Sequence, residues 1–100
     1  MTTSYNQGIR DMDQKLNEYK TAIRDQVIKL AQKISVDATS IQSNEIIPEK
    51  GYLDSASIIE LILWFEGYFN LSIDDDEITI DNFGSIDAMA NFVLMKTSVR

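Results

Sequence analysis

From Ile9 onward apolar residues return at every third or fourth position, through Met12, Leu16, Tyr19, Ile23, Val27, Leu30 and Ile34. That spacing is one face of a long α-helix. Acids precede bases by four residues on its polar side, Asp11 before Lys15 and Asp25 before Lys29, the favourable order for helix pairs. The rest of the chain shows no convincing strand alternation, and its best strand candidate, Leu71-Ser72-Ile73, is too short. A chain that commits its first third to such a helix and offers no sheet to pack it on has to close as a helical bundle. The run is longer than an ordinary globular helix, so either one helix carries a projecting start or the first dozen residues fray or form a separate turn. Residues 1–19 are read as an amino-terminal helical extension or flexible lead-in, and residues 20–100 as one domain. Near-heptad spacing also admits a coiled-coil contact, ranked below core packing at this length.

Residues 35–53 read as a long loop, rich in Ser, Thr, Asn and Asp and holding the only proline, Pro48, with Ile41, Ile46 and Ile47 as apolar pins. A second helix begins at Asp54 or Ser55 and runs to about Phe69. Ile58, Leu61, Ile62, Phe65 and Phe69 form its core stripe. Ala56, Ile59 and Leu63, continued by Gly67 and flanked by Glu60, make a second apolar strip that the core does not need. Trp64 and Tyr68 lie on a third side, where packing against a neighbouring helix competes with a role as interface anchors. Asn70 suits a left-handed helix stop. The acidic run at residues 74–77 precedes Ile78, Ile80 and Phe83 in a short third helix. Ser85 is placed to cap a last one, with Ile86, Met89, Ala90 and Val93 facing the core and Phe92 beside them.

Net charge is −7, unevenly distributed: residues 1–50 balance seven bases against seven acids, whereas residues 51–95 hold nine acids and no Lys or Arg. Such a surface disfavours nucleic acid and anionic lipid and attracts basic protein patches, although plain solubility is the bland alternative. The composition, 44% hydrophobic and 25% charged, is that of a folded domain. No apolar run approaches the roughly 20 residues that cross a bilayer, and Met1 to Gln14 is polar, so no membrane insertion and a cytoplasmic address are expected.

Chemistry of the chain's own is poorly provided for. Cysteine and histidine are absent, which removes thiolate chemistry and the side chain best suited to proton transfer at neutral pH. Counting from Asp74, the glycine of a calcium loop falls on Thr79 and its terminal glutamate on Ser85, so the EF-hand pattern fails and no metal site is expected. Ser55 lacks a histidine partner and a Gly-x-Ser-x-Gly elbow. It sits instead where an extended segment turns into a helix, a place whose free N–H groups and dipole tolerate an attached phosphodiester. A plain capping serine is the competing reading.

Gly51-Tyr52-Leu53-Asp54-Ser55, followed by Glu60-Leu61, Phe69-Asn70-Leu71-Ser72-Ile73, Phe83, Ser85-Ile86 and Phe92-Val93, resembles the acyl carrier and peptidyl carrier protein superfamily across roughly residues 20–96. The resemblance implies an all-α fold, a small four-helix bundle of acyl-carrier type with a long loop between its first two helices and a short third helix. It implies a discrete carrier rather than an enzyme, with no catalytic residues of its own and with 4′-phosphopantetheine from coenzyme A attached to Ser55 by a separate phosphopantetheinyl transferase. Asp54 would orient the serine or meet the transferase and its metal. Ala56, Ile59, Glu60, Leu63 and Trp64 would meet partner enzymes: a loading ligase for acyl or aminoacyl groups and downstream transferases or synthases. Ile58, Ile62, Phe65 and Phe83 would line an interior that accepts part of a cargo, with bulky Phe65 set against a long chain. A monomer is expected. Ala56 after the serine, Trp64, and Gly67-Tyr68 depart from fatty-acid carriers, and Leu53-Asp54-Ser55 with Ile80-Asp81-Asn82-Phe83 resembles discrete carriers of specialised biosynthesis or cell-envelope modification. A housekeeping fatty-acid carrier, and a cofactor-free acidic adaptor for a basic protein, are the alternatives.

Overall fold

The computed structural model describes the backbone of residues 4–98 and the side chains of residues 12–97. The periodic segment forms one continuous helix, α1 (Ser4–Lys33), with no separate turn at its described start. Its 30 residues are about 45 Å long at 1.5 Å per residue, close to the 52 Å longest dimension of the molecule. Ile23, Val27, Leu30 and Ala31 are buried, Leu16, Tyr19 and Ile34 are half-buried, and Met12 is 54% exposed. The stripe therefore loses its cover toward its start. The side chains of Ile9 and Asp11 lie outside the described residues. Asp25 and Lys29 do not close into the expected pair; instead Lys20 approaches Asp87 at 3.1 Å and Lys33 bonds Glu60 at 3.1 Å. Two bases of α1 are thus spent on neighbouring helices.

The connector is pinned more firmly than its polar composition implies. Arg24 donates from Nη1 to the Ile41 carbonyl, above the fully buried side chains of Ala38 and Ile41. Where the sequence reads as unbroken loop, the structure forms one helical turn, α2 (Ile47–Lys50). Pro48 occupies its first turn, where a missing N–H costs nothing, and Gly51 ends it at φ 72°, a conformation open to glycine. A single turn is too short to show a hydrophobic period. Ile47 is buried and its N–H donates to Gly84 O at 2.7 Å, which ties the connector to the far side of the domain.

The second major helix, α3 (Ser55–Phe69), buries Leu61, Ile62 and Phe65 and half-buries Ile58 and Phe69; Asn70 closes it in the left-handed conformation at φ 55°. The expected third helix divides into a 3-10 turn (Asp75–Glu77) and α4 (Ile80–Phe83), because two caps interrupt it. Asp74 and Glu77 form a capping box around the turn, and Thr79 Oγ1 accepts from Asn82 N at 3.2 Å to start α4. Ser85 caps α5 (Ile86–Ser98), its Oγ accepting from Ala88 N at 3.1 Å. The predicted core side of α5, Ile86, Met89, Ala90, Phe92 and Val93, is buried throughout. Helix α1 packs against α3 and α5, and α4 packs against α5. Five helices and the 3-10 turn make a small all-helical bundle, with no strand among the described residues.

Candidate functional site

Asp54 settles what Ser55 does locally. Its extended backbone (φ −92°, ψ 178°) places it at the N-cap of α3, where Oδ1 accepts from Ser57 N at 2.8 Å. Ser55 is therefore the first helical residue and not the cap. It is exposed, and its hydroxyl has no hydrogen-bond partner among the described residues. Asp54 does not bond the serine hydroxyl either, so any orienting effect passes through the backbone it fixes. The Ser57 hydroxyl and N–H hold the Asp54 carboxyl below its ordinary value of 3.8.

Ser55 shares one face of α3 with Ile58, Ile59 and Ile62, at the offsets of three, four and seven residues that stack along a helix. On that side of α3 an apolar pocket of about 210 Å³ opens between α2, α3 and α4, walled by Ile47, Leu53, Ile58, Ile62, Ile80 and Phe83. Ile78 and Ile80 are 39% and 55% exposed beside it. Of the four residues expected to line an interior, Ile58, Ile62 and Phe83 do so. Phe65 does not line the pocket; fully buried, it packs edge-on against Phe83 at 5.1 Å. Ile47 and Leu53 were missed as wall residues. The only signal was Ile47 among the apolar pins of the connector, which did not say what it faced.

The second apolar strip is where the sequence put it. Ala56 is exposed, as are Ile59 at 60% and Leu63 at 63%. Glu60 borders them but already holds Lys33, so this acid is partly neutralised within the chain. Trp64 stands apart, half-buried on the α1 side, stacked on Tyr68 at 4.8 Å and edge-on to Phe69 at 5.8 Å. Tyr19 of α1 closes this aromatic group against Phe69 at 5.3 Å. This packing covers part of Trp64, and the more exposed ring of the pair is Tyr68.

Beside the site, Glu45 braces the connector, accepting from Gln42 N at 2.8 Å and from the Tyr52 hydroxyl at 2.9 Å, with Lys50 at 3.6 Å. The Gln42 N–H and the Tyr52 hydroxyl hold Glu45 below its ordinary 4.5, and the bond to Glu45 pushes the Tyr52 phenol up. Glu77 is held down by the Asp74 N–H and by Lys96, whose Nζ lies 2.9 Å away. Asp37 is held down by the Thr39 hydroxyl and N–H. Depressed carboxyl groups stabilise the fold while ionised, and that contribution is lost as pH falls through their folded values. With no histidine to titrate, the melting temperature is expected to stay level from about pH 8 to 5 and to fall once pH drops below about 4.5. Thermal melts across that range check this, and a level profile down to about pH 3 contradicts it.

Among the described residues no group of three or more Asp or Glu is placed to hold a metal ion, and no helix is long and apolar enough to cross a membrane. No family model, curated protein or solved structure matches this chain.

Proposed function

We propose that this protein is a discrete carrier whose Ser55 hydroxyl accepts 4′-phosphopantetheine and presents thioester-linked intermediates to partner enzymes. One observation carries the reading: an exposed, uncommitted hydroxyl at the first position of a helix, capped by its neighbour, on the same face as an apolar pocket. Once bound, the cofactor supplies a flexible arm ending in a thiol, which this cysteine-free chain lacks. Asp54 holds the first turn so that Ser55 projects to solvent, and the helix start favours the phosphodiester charge. The pocket shelters the apolar end of a cargo, and Phe65 behind Phe83 limits it to a short group. Ala56, Ile59 and Leu63 form the surface that a phosphopantetheinyl transferase, a loading ligase and downstream transferases or synthases meet. The departures at Ala56, Trp64 and Gly67-Tyr68 favour specialised biosynthesis or cell-envelope modification over a housekeeping fatty-acid role.

Incubation with coenzyme A and a promiscuous phosphopantetheinyl transferase is expected to add one phosphopantetheine per chain; an unchanged intact mass contradicts the proposal. Leu63→Glu is expected to leave the melting temperature within a few degrees, since the side chain is 63% exposed, and to slow modification about tenfold. Rates measured under limiting transferase check this, and an unchanged rate places the docking surface elsewhere. The exposure of Ile59, Leu63 and Tyr68 also favours a second reading, a cofactor-free adaptor that uses the same helix.

A further inference from the structure

In a chain of net charge −7, one small pocket gathers the opposite sign. It measures about 210 Å³ and is lined by Lys20, Thr21 and Arg24 of α1, Ser43 of the connector and Ile86 at the start of α5. Lys20 and Arg24 lie four residues apart and so stack on one face of their helix. The first turn of the 13-residue α5 adds the positive end of its dipole. Asp87, the next residue after Ile86, pairs with Lys20 at 3.1 Å, so the two bases of the pocket share one carboxylate and leave a net positive charge.

The hydrogen bonding there is incomplete in a specific way. Arg24 spends one N–H on the Ile41 carbonyl, leaving four of the five that a guanidinium carries. Lys20 Nζ lies 3.1 Å from Asp87 Oδ1 but out of hydrogen-bond alignment, and that oxygen, shielded from solvent, accepts no hydrogen bond. The Ser43 carbonyl accepts from Asp87 N at 2.9 Å, while the Ser43 hydroxyl has no partner among the described residues. Thr21 Oγ1 donates to Asn17 O at 3.0 Å and keeps its acceptor capacity. The pocket thus offers the remaining guanidinium N–H groups of Arg24 and the Ser43 hydroxyl, beside a sheltered carboxylate oxygen that has Lys20 as its counter-ion but accepts no hydrogen bond. A partly protonated tetrahedral oxyanion satisfies both at once, its bare oxygens toward Lys20, Arg24 and Ser43 and its O–H toward Asp87. The volume holds such an ion together with a few waters and is smaller than the roughly 300 Å³ at which drug-sized ligand pockets begin.

We infer that this pocket binds a small oxyanion of the phosphate class, independently of anything attached at Ser55. Three elements supply its walls, so the bound ion ties α1, the connector and α5 together and stabilises the fold by linkage. The test is thermal unfolding of the unmodified chain in inorganic phosphate against sodium chloride at matched ionic strength and pH. Phosphate at about ten times its dissociation constant is expected to raise the melting temperature by on the order of 6 °C over chloride. Lys20→Met is expected to abolish that difference and Ser43→Ala to weaken binding several-fold. Lys29→Met, an exposed charge removed from the same helix, retains it. Amide NMR shifts of Ser43 and Asp87 under phosphate locate the ion. Equal melting in phosphate and chloride, an undiminished phosphate response in Lys20→Met, or amide shifts confined elsewhere overturns the inference.

Discussion

Phe65→Ala is expected to destabilise the domain by about 3–5 kcal/mol, the usual cost of emptying a buried aromatic site. Phe65 is fully buried and its ring centroid lies 4.9 Å from that of Phe69, 5.1 Å from Phe83 and 6.2 Å from Phe92, so α3, α4 and α5 all lean on one side chain. A domain of this size holds about 5–15 kcal/mol in all, so the loss takes up a large share and lowers the melting temperature by more than about 10 °C. Phe65→Leu, which keeps most of the volume, is expected to cost less than half as much. Urea unfolding followed by the fluorescence of Trp64, the only tryptophan, reads both variants. A Phe65→Ala loss below about 1 kcal/mol contradicts the packing described.

Ser55→Ala is expected to have the opposite profile, with total loss of modification and no loss of fold. The hydroxyl is exposed and unbonded, Asp54 keeps the cap, and alanine suits a first helical position, so stability stays within about 0.5 kcal/mol of the parent. Had Ser55 been the cap, the same change would cost about 1 kcal/mol. Chemical denaturation of the variant therefore tests the local geometry, separately from any cofactor. Asp54→Ala supplies the contrast: it removes the acceptor of the Ser57 N–H and lowers stability while leaving the serine in place.

Much of this was legible in the residues because helical period and cap chemistry are local. The stripe from Ile23 to Leu30, the Asn70 stop, the Ser85 cap and the exposed strip of Ala56, Ile59 and Leu63 follow from spacing and side-chain type alone. What was not legible depends on partners distant in the chain. Nothing in residues 47–50 reveals a helical turn until Ile47 is seen bonded to Gly84. Spacing could not tell that Lys20 and Lys33 would leave their own helix for Asp87 and Glu60, since long flexible side chains reach several acids at similar cost. Phe65 was placed correctly in the core stripe and wrongly on the pocket wall. Helical projection resolves which side a residue faces, but not how deep its neighbours let it go.

The central claim, that Ser55 is an attachment point, stands on one measurement: intact masses of the parent chain and Ser55→Ala after identical treatment with coenzyme A and a phosphopantetheinyl transferase. The account predicts a single phosphopantetheine on the parent and none on the variant. An unmodified parent, or equal adducts on both chains, contradicts it and leaves the adaptor reading in its place.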